Sequence, residues 1–168
     1  GCYRDLDRYD KFLKTNEVEK IFIPEQGNVD EEIYNLMHEN NRWGIDDKEL
    51  FDIVVRDRQS SDNDKPFVDI VMTLSTHEPF IILEGQEKYE QKAREIFEKA
   101  NVKNTKEKNI IQKNMNVFAC YLYMDECINE LINSYKRMGK YDNTIFIITG
   151  DHRMGMLNTG STLRSFNV

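Results

Sequence analysis

This chain is short of positive charge relative to negative. Lys and Arg number 23 against 30 Asp and Glu, for a net charge of −7. Nucleic-acid binders usually offer a basic face to the phosphates, so no nucleic-acid partner is expected. Long apolar runs are also missing. None approaches the roughly 18 residues of a membrane-crossing helix. Cysteine is sparse, with three residues in 168. Cys120 and Cys127 fall in a helical pattern and share a face, but at about 1.5 Å of rise per residue they sit roughly 10 Å apart. That is too far for a disulfide, so both read as small core residues, and no disulfide framework is expected. What remains is a mixture of 39% hydrophobic and 32% charged residues, enough for one globular domain with its own core. The chain opens at Gly1-Cys2 without a Met and closes on Phe166-Asn167-Val168 like an interrupted chain. It is therefore expected to be a fragment or a processed product.

The pattern alternates between helices and apolar runs. Residues 1–16 suit a helix with a turn at Thr15-Asn16. Val18 to Ile23 suits a short strand stopped by Pro24. A helix led by Asp30 carries Ile33, Tyr34, Leu36 and Met37. Asp46 followed by Glu49 fits a capping box, with the helix running to about Arg56 and Leu50, Ile53 and Val54 inward. Residues 86–100 place Tyr89, Ala93, Ile96 and Phe97 on one stripe. Residues 101–113, rich in Lys and Asn, suit a solvated loop. A long helix near 114–138 repeats Tyr121, Met124, Ile128, Leu131, Tyr135 and Met138 at three and four residues, and Gly139 is a good stop.

Two runs suit strands buried on both faces of a parallel sheet. One is Phe67 to Leu74. The other is Thr144 to Thr149, which leads into Gly150-Asp151-His152. Ligands of open α/β sheets bind beyond the carboxyl ends of strands, and a helical crossover between two parallel strands puts both ends on one edge. Asp151 and His152 then lie near the loop Ser75-Thr76-His77-Glu78-Pro79-Phe80. A carboxylate beside an imidazole suits a divalent cation such as zinc or manganese, and His77 can give or take a proton near neutral pH.

Three stretches together carry a resemblance: Arg42-Trp43-Gly44-Ile45-Asp46-Asp47, Thr73-Leu74-Ser75-Thr76-His77-Glu78-Pro79-Phe80, and Tyr141-Asp142-Asn143-Thr144 running into Gly150-Asp151-His152. Their order and spacing resemble the sulfatase-like branch of the alkaline phosphatase superfamily, and within it the lipoteichoic-acid-synthase type of phosphoglycerol transferase. The resemblance covers most of the chain and implies an α/β fold, a largely parallel sheet with flanking helices. Residues 1–168 are then the C-terminal portion of the catalytic domain.

The chemistry it implies is transfer of phosphoglycerol from a phosphatidylglycerol head group to a glycan or polyol acceptor through a covalent phospho-threonine. The ion implied is manganese, with zinc, magnesium or calcium as alternatives. Asp151 and His152 carry over as metal ligands and His77 as the residue that meets the phosphate or leaving group. Trp43 lines the head-group pocket, and Arg42 and Arg153 are candidate forked donors to phosphate. The implied location is the outer face of the cell membrane.

The departures are equally specific. The family's metal-binding Glu and nucleophilic Thr lie upstream of every motif seen here, and no Thr of this sequence stands in that context. The isolated chain is therefore expected to be inactive. A sheet without its first strands would leave an apolar face open for self-association. The competing readings are a sulfatase or phosphoethanolamine transferase of the same superfamily, and a non-catalytic truncated binding module. A sulfatase needs Cys/Ser-x-Pro-x-Arg, which does not occur here.

Overall fold

The computed structural model describes residues 15–16, 44–61, 66–81 and 85–150. The strand expected at Val18–Ile23, the helix led by Asp30, and Arg42, Trp43, Asp151, His152 and Arg153 lie outside the described residues. Within them, four α-helices follow in order: α1 (Asp47–Ser60), α2 (Glu87–Ala100), α3 (Thr105–Lys113) and α4 (Met115–Arg137), with a 3-10 turn at Tyr141–Asn143.

Helix α1 starts where Asp46, in extended backbone, accepts a hydrogen bond from the Lys48 N–H at 3.1 Å. That satisfies one of the orphan donors of the first turn. The Glu49 side chain, expected to complete a reciprocal box, pairs with Arg56 at 2.8 Å. Leu50 and Phe51 face inward, with Ile53 packed beside Leu50. Helix α2 buries Tyr89 and Ala93 and part of Phe97, but Ile96 is left largely exposed. It ends on Asn101 in the left-handed region, at φ 47°, a conformation Asn tolerates better than most residues.

The 101–113 stretch is not the expected loop, since α3 occupies 105–113. The Asn104 carboxamide oxygen caps it, accepting from the N–H groups of Lys106 and Glu107. No residue of α3 is fully buried, although Ile111 leans on the core. With so little apolar face, the local cap is what distinguishes it from a loop.

The long helix α4 organises the rest. Ala119, Cys120, Tyr123, Met124, Cys127 and Tyr135 form its buried arc, while Tyr121, expected inward, is exposed. Both cysteines are free and buried. The helix closes on a Schellman motif: Gly139 takes φ 68°, its N–H donates to the Lys136 carbonyl, and the Lys140 N–H donates to the Tyr135 carbonyl, each at 3.0 Å. Helices α1 and α2 both pack on α4. Their shared core joins Phe51, Tyr89, Ala93, Met115, Ala119, Tyr123, Met124 and Cys127. The Tyr89 and Tyr123 rings meet edge to face at 5.3 Å, and Lys88 bridges to Glu126 at 3.0 Å.

The two runs expected as strands buried on both faces, 67–74 and 144–149, form no strand among the described residues and leave most of their apolar side chains exposed, so the family's sheet is not seen here. Each segment has an inner and an outer face. In 66–74, Val71 packs on the core and Asp69 lies 3.1 Å from Arg58 at the end of α1. The Arg58 guanidinium also covers the Phe67 ring at 4.2 Å. In 144–150, Phe146 packs against Tyr135 and Tyr141. The outer faces carry Val68, Ile70 and Met72 on one segment and Ile145 and Ile147 on the other, with Val68 and Ile145 near 90% exposed, at 88% and 89%. Ile148, two residues on from Phe146, is exposed as well, at 64%, so the period-2 alternation of a strand does not run through 144–150.

Burial pushes the Cys127 thiol up to about 11 from an ordinary 9.0. The folded state then holds a proton that the unfolded state releases above pH 9, so the stability it confers is whole below that pH and is lost toward pH 11. Unfolding free energy is expected to fall by roughly 1 kcal/mol between pH 8 and pH 10 from this residue alone. Urea titrations of the native chain and Cys127→Ala at both pH values should show that difference in slope. Parallel curves would refute it.

Candidate active site

Two adjacent carboxylates at the start of α1 build the site's framework. Asp46, besides capping α1, accepts a short hydrogen bond from the Tyr123 hydroxyl of α4. It also accepts from the Gln86 side-chain amide, just before α2, at 3.2 Å. One side chain thus ties three helices together. Burial first, and then the bond to the Asp46 carboxylate, hold the Tyr123 phenol well above the ordinary tyrosine range, so it stays a donor at any working pH.

Asp47 is fully buried, at 0% exposure. One of its oxygens accepts from the Leu74 N–H and the other from the Ser75 N–H, each at 2.7 Å. A buried carboxylate is tolerated only when its lone pairs are met, and successive backbone donors meet both oxygens at once.

The loop that begins there carries His77. The His77 N–H closes a turn on the Leu74 carbonyl at 2.9 Å, and the Phe80 N–H closes a second on the His77 carbonyl at 3.0 Å. The Glu78–Pro79 peptide is cis, and Phe80 has φ 54°, an uncommon conformation for a bulky residue. Its ring is buried against Val117 and Cys120 of α4, and the Asn116 amide donates to its carbonyl at 3.2 Å. Between these two anchors His77 stands exposed. Its Nδ1 lies 2.7 Å from the Glu78 carbonyl. A carbonyl only accepts, so Nδ1 carries the hydrogen and the neutral ring keeps its lone pair on Nε2.

Of the sequence-derived candidates, only His77 falls among the described residues. Asp151 and His152 follow directly on Gly150, at the end of the segment that Phe146 pins to Tyr135. Among the described residues no three His, Cys, Asp or Glu side chains are grouped as a metal site. The oxygens of Asp46 and Asp47 are engaged by protein donors, which does not suit either as a ligand. The donor chemistry of Asp151 and His152, one oxygen type and one nitrogen type, fits manganese or zinc. Sequence reasoning missed Asp47. An acid in a helix's first turn is commonplace, and nothing in its spacing announces a partner in Leu74 and Ser75.

A comparison with known families places the whole of this region in one of them. The chain belongs to the sulfatase family, whose profile matches residues 5–165. It is therefore a member of an enzyme family with an alkaline-phosphatase-like α/β fold, and within it the chain is similar to lipoteichoic acid synthases. The lipoteichoic acid synthase of Staphylococcus saprophyticus is 26% identical over 157 residues, covering 90% of this chain and 20% of that protein. That of Staphylococcus aureus strain USA300 is 32% identical over 87 residues, covering 52% of this chain and 11% of that protein. The chain thus spans about a fifth or less of the length of these relatives. No solved structure matches it.

Replacing Tyr123 by Phe removes the donor to a carboxylate at the helix junction. Hydrogen bonds to charged groups are worth about 1.5–3 kcal/mol, and Tyr123→Phe is expected to lose stability in that range by urea denaturation. Asp46→Ala should cost no less, and the double variant less than the sum. Strict additivity would mean that the two side chains do not interact.

Proposed function

We propose that residues 1–168 are the C-terminal portion of the catalytic domain of a metal-dependent phosphoglycerol transferase, acting on a phospholipid head group and a glycan or polyol acceptor at the outer face of the cell membrane. The observation that carries this reading is the coupling of two motifs in one family member. A Ser-x-His-x-Pro-Phe loop presents an exposed imidazole, and in sequence Gly150-Asp151-His152 follows a segment whose Phe146 packs on Tyr135 of the same long helix. The similarity to two lipoteichoic acid synthases favours the transferase over a sulfatase. Among the described residues no helix is long and apolar enough to cross a membrane.

In this reading Asp151 and His152 hold a divalent ion, manganese first and zinc, magnesium or calcium otherwise. The remaining Glu ligand and the Thr nucleophile come from outside these residues. A bound ion neutralises phosphoryl charge and lowers the pKa of the attacking hydroxyl. His77 serves the leaving-group side: its Nε2 accepts or returns the proton of a glycerol or acceptor oxygen, while the Glu78 carbonyl holds the ring in one tautomer. Arg42 and Arg153 contribute forked donors to phosphate oxygens, and Trp43 walls the head-group pocket.

Isothermal titration with manganese and with zinc tests the metal assignment. Two protein ligands make a weak site, since catalytic centres usually offer three or more. Weak binding is expected to the native chain and none to Asp151→Ala/His152→Ala. Equal binding by both would overturn it. By itself the chain should not turn over a generic phosphodiester, and turnover abolished by Asp151→Asn would show that it carries a complete centre.

The bare outer faces of 66–74 and 144–150 extend the proposal to self-association. Val68, Ile70, Ile145 and Ile147 present more apolar side chain than isolated surface residues normally do. Light scattering on a size-exclusion column is expected to show a mass that rises with concentration, and Ile70→Lys/Ile147→Lys should return it to the monomer. A constant monomer mass for the native chain would exclude self-association.

A further inference from the structure

Helix α3 carries its charge on one side. Thr105, Lys106, Lys108, Asn109, Gln112 and Lys113 are exposed, whereas Glu107, Ile110 and Ile111 are half-buried. At about 100° per residue the six exposed residues fall on one arc of the helix and the three half-buried ones on the opposite arc. Ile111 leans on the core, which turns the first arc to solvent. That arc holds three lysines and neither an acid nor an apolar side chain. Lys99 and Lys103, just before the helix, are exposed as well. Residues 99–113 contain five Lys and one Glu, a net +4, so in a chain of net −7 all other residues together carry −11.

These lysines are also uncommitted. Helix α1 pairs each of its cations with a carboxylate: Lys48 with Asp52, Arg56 with Glu49, and Arg58 with Asp57 and Asp69. None of Lys99, Lys103, Lys106, Lys108 and Lys113 forms an ion pair among the described residues. Their place in the fold adds to their charge. Asn114 both ends α3 and starts α4, and two residues on, the Asn116 amide donates to the Phe80 carbonyl at 3.2 Å. Three residues of stretched chain, about 11 Å, are therefore the most that separates Lys113 from the residue holding the end of the His77 loop.

We propose that the lysine arc of α3, with Lys99 and Lys103, is a docking surface for an anionic phospholipid bilayer. The occupant follows from charge complementarity. An anionic surface repels a chain of net −7 everywhere but at such a patch, and the patch thereby sets the orientation of approach. With no apolar side chain on the arc, contact stays at the level of the head groups, where ammonium groups meet phosphates as point charges. A docked α3 brings the Phe80 end of the His77 loop to the lipid surface. That the lipid is also the donor rests on the transferase reading, but the patch and its charge do not.

Vesicle flotation with the 168-residue chain is the test. Vesicles of equal parts phosphatidylglycerol and phosphatidylcholine are compared with phosphatidylcholine alone. The native chain is expected to float with the first and not the second, less so as salt is raised. Lys106→Gln/Lys113→Gln alters only exposed side chains and should bind about 20-fold more weakly, roughly fivefold per lysine. Lys136→Gln/Lys140→Gln removes the same charge at the other end of α4 and should bind as the native chain does. Equal weakening in both variants, or no binding to the anionic vesicles, would overturn the proposal. So would capture of inorganic polyphosphate through Lys106 and Lys113 without vesicle binding, which would give the arc to a soluble polyanion. The transferase reading fails separately. If the complete enzyme releases no head group from phosphatidylglycerol, that reading falls whatever the vesicles show, whereas head-group release with no vesicle binding by the native chain removes the docking surface alone.

Discussion

The described structure depends on how two neighbouring carboxylates, the half-buried Asp46 and the fully buried Asp47, are satisfied. Asp46 and Asp47 sit where α1 begins, and their oxygens receive the Lys48 and Leu74 and Ser75 amides, the Gln86 carboxamide and the Tyr123 hydroxyl. Removing charge from water is costly, and a half-satisfied carboxylate is worse than an apolar residue. Every donor must be in place at once. That requirement couples α1, α2, α4 and the His77 loop more tightly than the surrounding apolar contacts could. Hydrophobic packing tolerates sliding, whereas a bidentate acceptor does not. The apolar, largely aromatic core around Phe51, Tyr89 and Tyr123 supplies the bulk of the cohesion, and the acidic pair sets the register.

Much of this was legible in the sequence, for identifiable reasons. Helices α1, α2 and α4 show apolar residues at helical spacing with a cap or stop nearby, and those local signals agree with the packing. Helix α3 escaped because it has almost no apolar stripe, and its one signal, Asn104, is also a common loop residue. Ile96 and Tyr121 fit the periodicity but lie outside the buried arcs, because the arc is fixed by where α1 and α2 cross α4, and a single helix does not encode that. The two runs read as buried strands form none among the described residues, and only Val71 and Phe146 pack inward. Pairing is a property of neighbours, which composition cannot supply.

The candidate site divides along the same line. His77 was legible because its loop is a contiguous motif ending in Pro79-Phe80. Asp47 was not, because its partners lie 27 and 28 residues away and it looks like any acid that favours a helix's first turn. The exposed group of a site is conspicuous in a sequence. A buried group such as Asp47 is conspicuous only once the chain is folded.

Helix α4 meets both motif-bearing segments, Phe80 through Val117 and Cys120 near its start and Phe146 through Tyr135 near its end. Between Val117 and Tyr135 the helix advances about 27 Å without a Gly or Pro, and each residue turns it by about 100°. One inserted or deleted residue in that span would rotate Tyr135 away from Phe146 while Val117 still faced Phe80. The helix therefore acts as a ruler of fixed length and phase. Length variation is better absorbed in the 101–104 connection, before the ruler starts, than anywhere between its two ends.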